Sequence, residues 1–67
     1  MREINYKILL PDQTYATRKS KNVYTHIVAG LEKGKWSAYS YCGSYELALK
    51  QYKVISKYTE ETVIIQI

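Results

Sequence analysis

The stretch 23–42 constrains the fold more than any other feature of this sequence. It contains two segments with β-strand composition, 23–31 and 36–42, on either side of Lys33 and Gly34. Glycine adopts the positive φ that a tight turn between antiparallel strands requires. The stretch therefore predicts a β-hairpin with its turn at residues 32–35.

Closing this hairpin without interruption places Ala29 opposite Ala38 and Val28 opposite Tyr39, and side chains then alternate between the two faces. One face carries small and aliphatic side chains: Val23, Ile27, Ala29, Leu31, Ala38 and Cys42. The other face carries rings and one valine: Tyr24, His26, Val28, Tyr39 and Tyr41. Small residues allow close approach, so we expect the helix on the first face and an open second face.

The segments outside the hairpin predict further strands. Residues 3–9 alternate with the period of a strand, and residues 14–19 have weaker strand character. A polar turn at 19–22 would pair the second segment with the strand that starts at residue 23. Residues 63–67 are apolar on both sides near their start, which predicts an inner strand.

One helix is expected between these strands. Ser44 is a suitable N-cap, and Glu46 in the first turn suits the helix dipole. Residues 45–58 follow the helical period, with a broad apolar arc opposite a row of lysines. This row, at positions 50, 53 and 57, is typical of a solvated helix face.

Together these segments predict an α+β protein. We expect one small, mainly antiparallel sheet of three to five strands with a single helix on one face, in the order β(β)ββαβ. The 67 residues form a single domain, 1–67. A chain this short buries only about 60% of its unfolded surface, so help from a second subunit is expected to matter, and a homodimer is one expectation.

The charge and the ring content indicate the class of partner. Ten lysines and arginines stand against six acids, giving a formal net charge of +4, and eight tyrosines accompany one tryptophan and no phenylalanine. Basic domains favour DNA, RNA or an acidic protein surface. One cysteine, Cys42, and one histidine make neither a disulfide within the chain nor a metal cluster, so no cofactor or metal is expected.

The same composition predicts where the protein resides and what it does not do. No apolar run reaches the length of a membrane helix, and the free thiol of Cys42, expected to be buried, suits a reducing compartment. We therefore expect a cytoplasmic protein without a membrane partner. No nucleophile and base lie at a spacing that predicts an enzyme.

The ring-bearing face of the hairpin is the predicted nucleic-acid site. Bases would stack on rings while cations in the flanking turns hold phosphates, or the sheet would lie in a duplex groove. The expected site residues are Tyr15, Tyr24, His26, Tyr39, Tyr41, Arg18, Lys19, Lys21, Lys33 and Lys35.

Other interpretations of this face remain open at this point. Residues 1–17 folded across it would turn the tyrosines into a second core, and a second copy would turn them into a dimer interface. A protein-interaction module, either an adaptor or an inhibitor, is the alternative function.

The order of elements across residues 14–58, three strands and then a helix, resembles the sheet-reading DNA-binding domains of some phage integrases and plant transcription factors. The resemblance is confined to that order, since none of the base-reading residues of those domains can be matched here. The short length also resembles that of phage or mobile-element accessory proteins.

Overall fold

The computed structural model describes residues 2–67, so Met1 of the predicted domain lies outside the described residues. Five strands and one helix follow one another along the chain. Their bounds are β1 Ile4–Leu9, β2 Tyr15–Ser20, β3 His26–Glu32, β4 Lys35–Cys42, α1 Tyr45–Ile55 and β5 Glu61–Gln66.

The predicted α+β class and the order of elements are confirmed, and the strands divide between two antiparallel sheets. β1 and β2 form a two-stranded sheet, and β4, β3 and β5 form a three-stranded sheet with β3 in the centre. The expected pairing of 14–19 with 23–31 is wrong, because β2 pairs with β1, with Tyr6 opposite Arg18. We call the β1–β2 sheet the basic hairpin.

The three-stranded sheet lies between the basic hairpin and the helix. Alternate residues of β3 point to opposite faces. Ile27 and Ala29 pack in one cluster with three buried residues from the N-terminal part of the chain, Tyr6, Ile8 and Leu10. Val28 packs in a second cluster with helix residues and Cys42.

The predicted assignment of faces is therefore reversed. The helix lies against the face that carries Val28, not the face that carries Ile27 and Ala29. Cys42 is buried beside the helix, as expected.

The helix begins where predicted and ends earlier. The Ser44 side chain accepts a hydrogen bond from the Leu47 backbone N–H at 3.3 Å, which confirms the N-cap. The helix ends at Ile55 rather than 58. Only Ala48 and Ile55 are buried in it, so a sheet of three strands covers the centre of the apolar arc and leaves its flanks exposed.

β5 is an edge strand, which corrects the predicted inner position. Its apolar residues are nevertheless covered on both faces, because Val63 and Ile65 contact the cluster under the basic hairpin and Ile64 contacts the helix cluster. The layers on either side of the strand, not neighbouring strands, explain its continuous apolar run.

The predicted β3–β4 turn is confirmed, and its register changes partway along. Lys33 and Gly34 both have positive φ, 54° and 76°, as a two-residue hairpin turn requires. The predicted pairing of Ala29 with Ala38 is present, but Val28 then pairs with Ser40. A β-bulge leaves Tyr39 without an opposing residue, so the predicted pairings beyond Ala38 are wrong.

Candidate nucleic-acid interface

The predicted tyrosine face is not an open surface. Tyr24 and Tyr41 lie beneath the basic hairpin and pack against Tyr6, which is 7% exposed. Ring centroids are 5.3 Å apart for Tyr6 and Tyr24, and 5.4 Å apart for Tyr24 and Tyr41. These three residues form what we call the tyrosine cluster, and they correct the expectation of exposed stacking rings.

Hydrogen bonds from one hydroxyl tie the basic hairpin to the chain that follows it. The Tyr6 hydroxyl donates to the Asn22 carbonyl at 2.7 Å and accepts from the Tyr24 backbone N–H at 2.8 Å. The alternative in which residues 1–17 fold across the tyrosines is therefore the arrangement that the structure adopts.

Arg18 covers the outer side of the tyrosine cluster. Its guanidinium carbon lies 5.0 Å from the Tyr41 ring centroid and 5.6 Å from that of Tyr24, which are cation–π distances. Hydrogen bonds from Ser20 and Asn22, with the nearby Arg18 charge, lower the pKa of Tyr24. Burial raises the pKa of Tyr41, and the Arg18 charge partly opposes this.

Tyr39 and His26 lie away from that cluster. The Tyr39 hydroxyl donates to the Glu32 carboxylate at 2.8 Å, which raises the pKa of Tyr39. The His26 ring lies 5.5 Å from that of Tyr45 at the start of the helix, and its Nδ1 is 2.8 Å from the Thr25 hydroxyl. The structure therefore separates these two predicted site residues from Tyr24 and Tyr41.

A groove between β2 and β4 brings four of the predicted site residues together. Its volume is about 510 Å³, and it opens to solvent. The residues at its wall that carry rings or charge are Asp12, Tyr15, Arg18, Lys35, Trp36 and Tyr41. We call it the β2–β4 groove.

The charges in the β2–β4 groove are mainly positive. The hydroxyl and the backbone N–H of Thr14 both donate to Asp12 and hold the pKa of that carboxyl below its usual value. One carboxylate therefore stands against the cations of Arg18 and Lys35.

The outer side of the basic hairpin continues this surface. Lys7 Nζ lies 4.5 Å from the centroid of the Tyr15 ring. A second depression of about 420 Å³ is lined by Lys7 and Lys19, and it shares Thr17 and Arg18 with the β2–β4 groove.

The hairpin layer also carries most of the net charge. Residues 2–22 contain five cationic and two acidic side chains, whereas residues 23–67 contain five and four. Lys21 is exposed in the bend after β2, and Lys33 is exposed in the β3–β4 turn. Neither of these two predicted residues lines the β2–β4 groove.

Trp36 and Lys7 were not among the predicted site residues. The predicted register puts Trp36 opposite Leu31, which is on the face assigned to the helix and not on the predicted ring face. Lys7 lies on a strand whose partner the sequence did not predict. Pairing 3–9 with 14–19 would have placed Lys7 next to the basic residues of β2.

The chain matches no family model, no curated protein and no solved structure in the three comparisons made. Within residues 2–67, the one helix, α1, is too short to cross a membrane. The same residues contain no group of three or more histidine, cysteine or acidic side chains placed to hold a metal ion.

Proposed function

We propose that this chain is a small, non-enzymatic, cytoplasmic protein that binds nucleic acid through the basic hairpin and the β2–β4 groove. The observation that supports this proposal most is the meeting of three aromatic residues and two cations in one open groove. Tyr15, Arg18 and Lys35 keep their predicted roles in this proposal, whereas Tyr41 lies beneath Arg18 and supports it. Tyr24 packs beneath Arg18 and supports it, and Tyr39 and His26 are not part of the proposed site.

The chemistry of the surface suits a polyanion. Cations along β1 and β2 attract phosphates over several ångströms and release the counterions condensed on the nucleic acid. Arg18 is held in place by two rings, so less side-chain freedom is lost when it contacts a phosphate. Binding by this surface must weaken steeply as salt rises.

A matched pair of charge variants tests the surface. Lys19→Gln with Lys21→Gln removes one charge from the basic hairpin and one from the bend that follows it, and Lys50→Gln with Lys53→Gln removes two from the exposed helix face. Affinity for a labelled oligonucleotide is measured at several salt concentrations. The hairpin variant should bind more weakly, with a salt slope shallower by about 0.7 to 0.9 for each lost phosphate contact.

The helix variant is the control because its net charge falls by the same amount. It should bind nearly as well as the unmodified chain. Equal weakening of both variants would mean that net charge alone drives binding, and an absence of binding at low salt would end the proposal.

A second candidate function, protein interaction, is favoured by the free edge of β5. Unpaired strand edges bind other strands unless charges, prolines or bulges protect them. β5 has a single charge, Glu61 at its start, contains no proline and pairs with β3 without a bulge, whereas β4 has both Lys35 and the bulge at Tyr39. Tyr52 and Ile67 add exposed apolar surface close to this edge.

A homodimer formed by antiparallel pairing of two β5 strands is the specific form of this candidate. Its mass is measured by light scattering over a wide concentration range. Ile67→Lys should shift the equilibrium towards monomer, while Val23→Lys, at a site 70% exposed in another part of the chain, should not. A monomeric mass at every concentration would rule this dimer out.

A further inference from the structure

Trp36 and Tyr15 both have accessible aromatic surface, and the packing of the fold does not explain why it is exposed. Tyr15 is 56% exposed and Trp36 is partly buried, and both line the β2–β4 groove. The basic hairpin and the three-stranded sheet form its two walls, and each wall is an edge strand. An extended ligand can therefore lie between β2 and β4.

The charges of the groove select the chemistry of that ligand. Arg18 of β2 lies over Tyr41 of β4, so this contact joins the two walls, and Lys35 precedes Trp36 in β4. Cationic and aromatic residues therefore line the same groove. A repeating ligand with alternating anionic and flat aromatic groups matches this arrangement, and nucleic acid has that composition.

The position of the rings along the groove favours binding of single strands over duplexes. In a duplex the base faces are stacked on one another, and only base edges and backbone are accessible. Trp36 in the groove and Tyr15 on the outer side of the β2 edge would contact the faces of bases, which only unpaired nucleotides expose. A duplex could contact the cations of the basic hairpin but not these rings.

We propose that the β2–β4 groove binds unpaired nucleotides, with bases stacked on Tyr15 and Trp36 and phosphates held by Arg18 and Lys35. This inference rests on the proposed nucleic-acid function and adds the form of the ligand. Tyr41, partly buried beneath Arg18, supports the groove floor.

Trp36 is the only tryptophan of the chain, so its fluorescence reports on this groove alone. The chain is titrated with oligothymidylate, oligouridylate and a DNA duplex of matched length. Trp36 emission and the anisotropy of a labelled strand are recorded together. Both single strands should quench Trp36, and the duplex should bind more weakly without quenching.

Tyr15→Ala tests the stacking contact at an exposed position where folding is not at risk. Loss of one base–ring contact should weaken single-strand binding by about five- to 150-fold. Tyr58→Ala is the matched control, because that tyrosine is 70% exposed beyond the helix and should not change affinity.

Trp36 emission and anisotropy together distinguish failure of the groove site from failure of the proposed nucleic-acid function. Single-strand binding with unchanged Trp36 emission and unchanged affinity of Tyr15→Ala would overturn the groove site but leave the basic hairpin as a binding surface. Quenching by the duplex equal to that by single strands would overturn the selectivity. No anisotropy change with any of the three at low salt would overturn both proposals.

Discussion

At the scale of single residues, Tyr39 changes the direction of every side chain that follows it in β4. Ala38 pairs with Ala29 and Ser40 pairs with Val28, so Tyr39 is the additional residue of the bulge. Because side chains alternate, one inserted residue moves the next ones to the opposite face. Tyr41 consequently points towards the basic hairpin, with Ile27 as its partner.

The hydroxyl of Tyr6 is the residue-scale contact with the largest expected effect on stability. Tyr6→Phe removes the acceptor of the Tyr24 N–H and the donor to the Asn22 carbonyl in a partly buried location. An unsatisfied backbone group costs about 1–3 kcal/mol, so the free energy of unfolding should fall by at least that amount. Urea denaturation measures it.

Tyr58→Phe provides the control for this loss. Its ring is 70% exposed, and removing its hydroxyl should leave the unfolding midpoint nearly unchanged. An unchanged midpoint for Tyr6→Phe would contradict the hydrogen bonding described above.

The tyrosines should also separate in their titration. The pKa of Tyr24 is lowered by the donors Ser20 and Asn22, whereas that of Tyr39 is raised from its ordinary value of 10.0 by the bond to Glu32. Tyr24 should therefore deprotonate before Tyr39 as the pH rises. NMR of chains with 13C-labelled tyrosine, assigned with single phenylalanine variants, records the order.

The raised pKa of Tyr39 makes the stability of the fold depend on pH in the alkaline range. The Tyr39–Glu32 bond stabilises the fold below the ordinary tyrosine pKa, and its contribution is lost as the pH rises through the raised value. Tyr39→Phe should remove that part of the alkaline loss of stability. Deprotonation of Tyr39 before Tyr24 would contradict this interpretation.

At the scale of elements, the connection between α1 and β5 meets β3 at Gly30. A Cβ added there would lie 2.5 Å from Thr59 Cγ2. The Thr59 side chain is held by bonds to the Ile55 carbonyl and the Thr62 hydroxyl, so it cannot move aside easily. The absence of a side chain at Gly30 therefore permits this contact.

Gly30→Ala should lower the free energy of unfolding by about 1–3 kcal/mol through overpacking. Adding Thr59→Ser removes Cγ2 and keeps the hydroxyl, so the double variant should recover part of the loss. Gly43→Ala, whose added Cβ would meet only the Val23 carbonyl oxygen at 3.6 Å, is the control. Additive losses in the double variant would show that Thr59 is not the cause.

At the scale of the whole molecule, the basic hairpin is the layer with the weakest attachment. It forms its own sheet, joined to the rest by side-chain packing and by the Tyr6 hydroxyl. β3, in contrast, is paired on both sides and contains fully buried Ile27, Val28 and Ala29. Local opening should therefore be easiest in the hairpin.

Hydrogen exchange measures this difference directly. Amides of β1 and β2 should exchange faster than those of β3, and bound oligonucleotide should slow exchange in β2 more than in α1. Equal protection of all strands would mean that the two sheets unfold as one cooperative unit.

The class of fold could be predicted from local patterns, whereas the faces could not. Strand and helix periods, the Ser44 cap and the Lys33-Gly34 turn depend on neighbours in sequence. The cap and the turn were found where expected, and the helix and strands were found with shifted ends. The split into two sheets depends on β1 pairing with β2, a choice that local composition leaves open.

The candidate site was predicted only in part, because its residues come together through strand pairing that local composition leaves open. Tyr15, Arg18 and Lys35 do lie together with Tyr41, but in a groove between two sheets rather than on one open face. Trp36 was missed because its face was assigned to the helix. The bulge at Tyr39 was not predicted, because the uninterrupted register was assumed along the whole of β4.

Local sequence sets which segments form strands, which one forms the helix and how the charge is distributed, because backbone preferences and formal charges belong to residues and their neighbours. The packing of the layers sets which tyrosines are covered, which strand is an edge and where rings and cations meet. Those outcomes depend on which layer packs on each apolar face, and this is fixed only when all three layers are assembled.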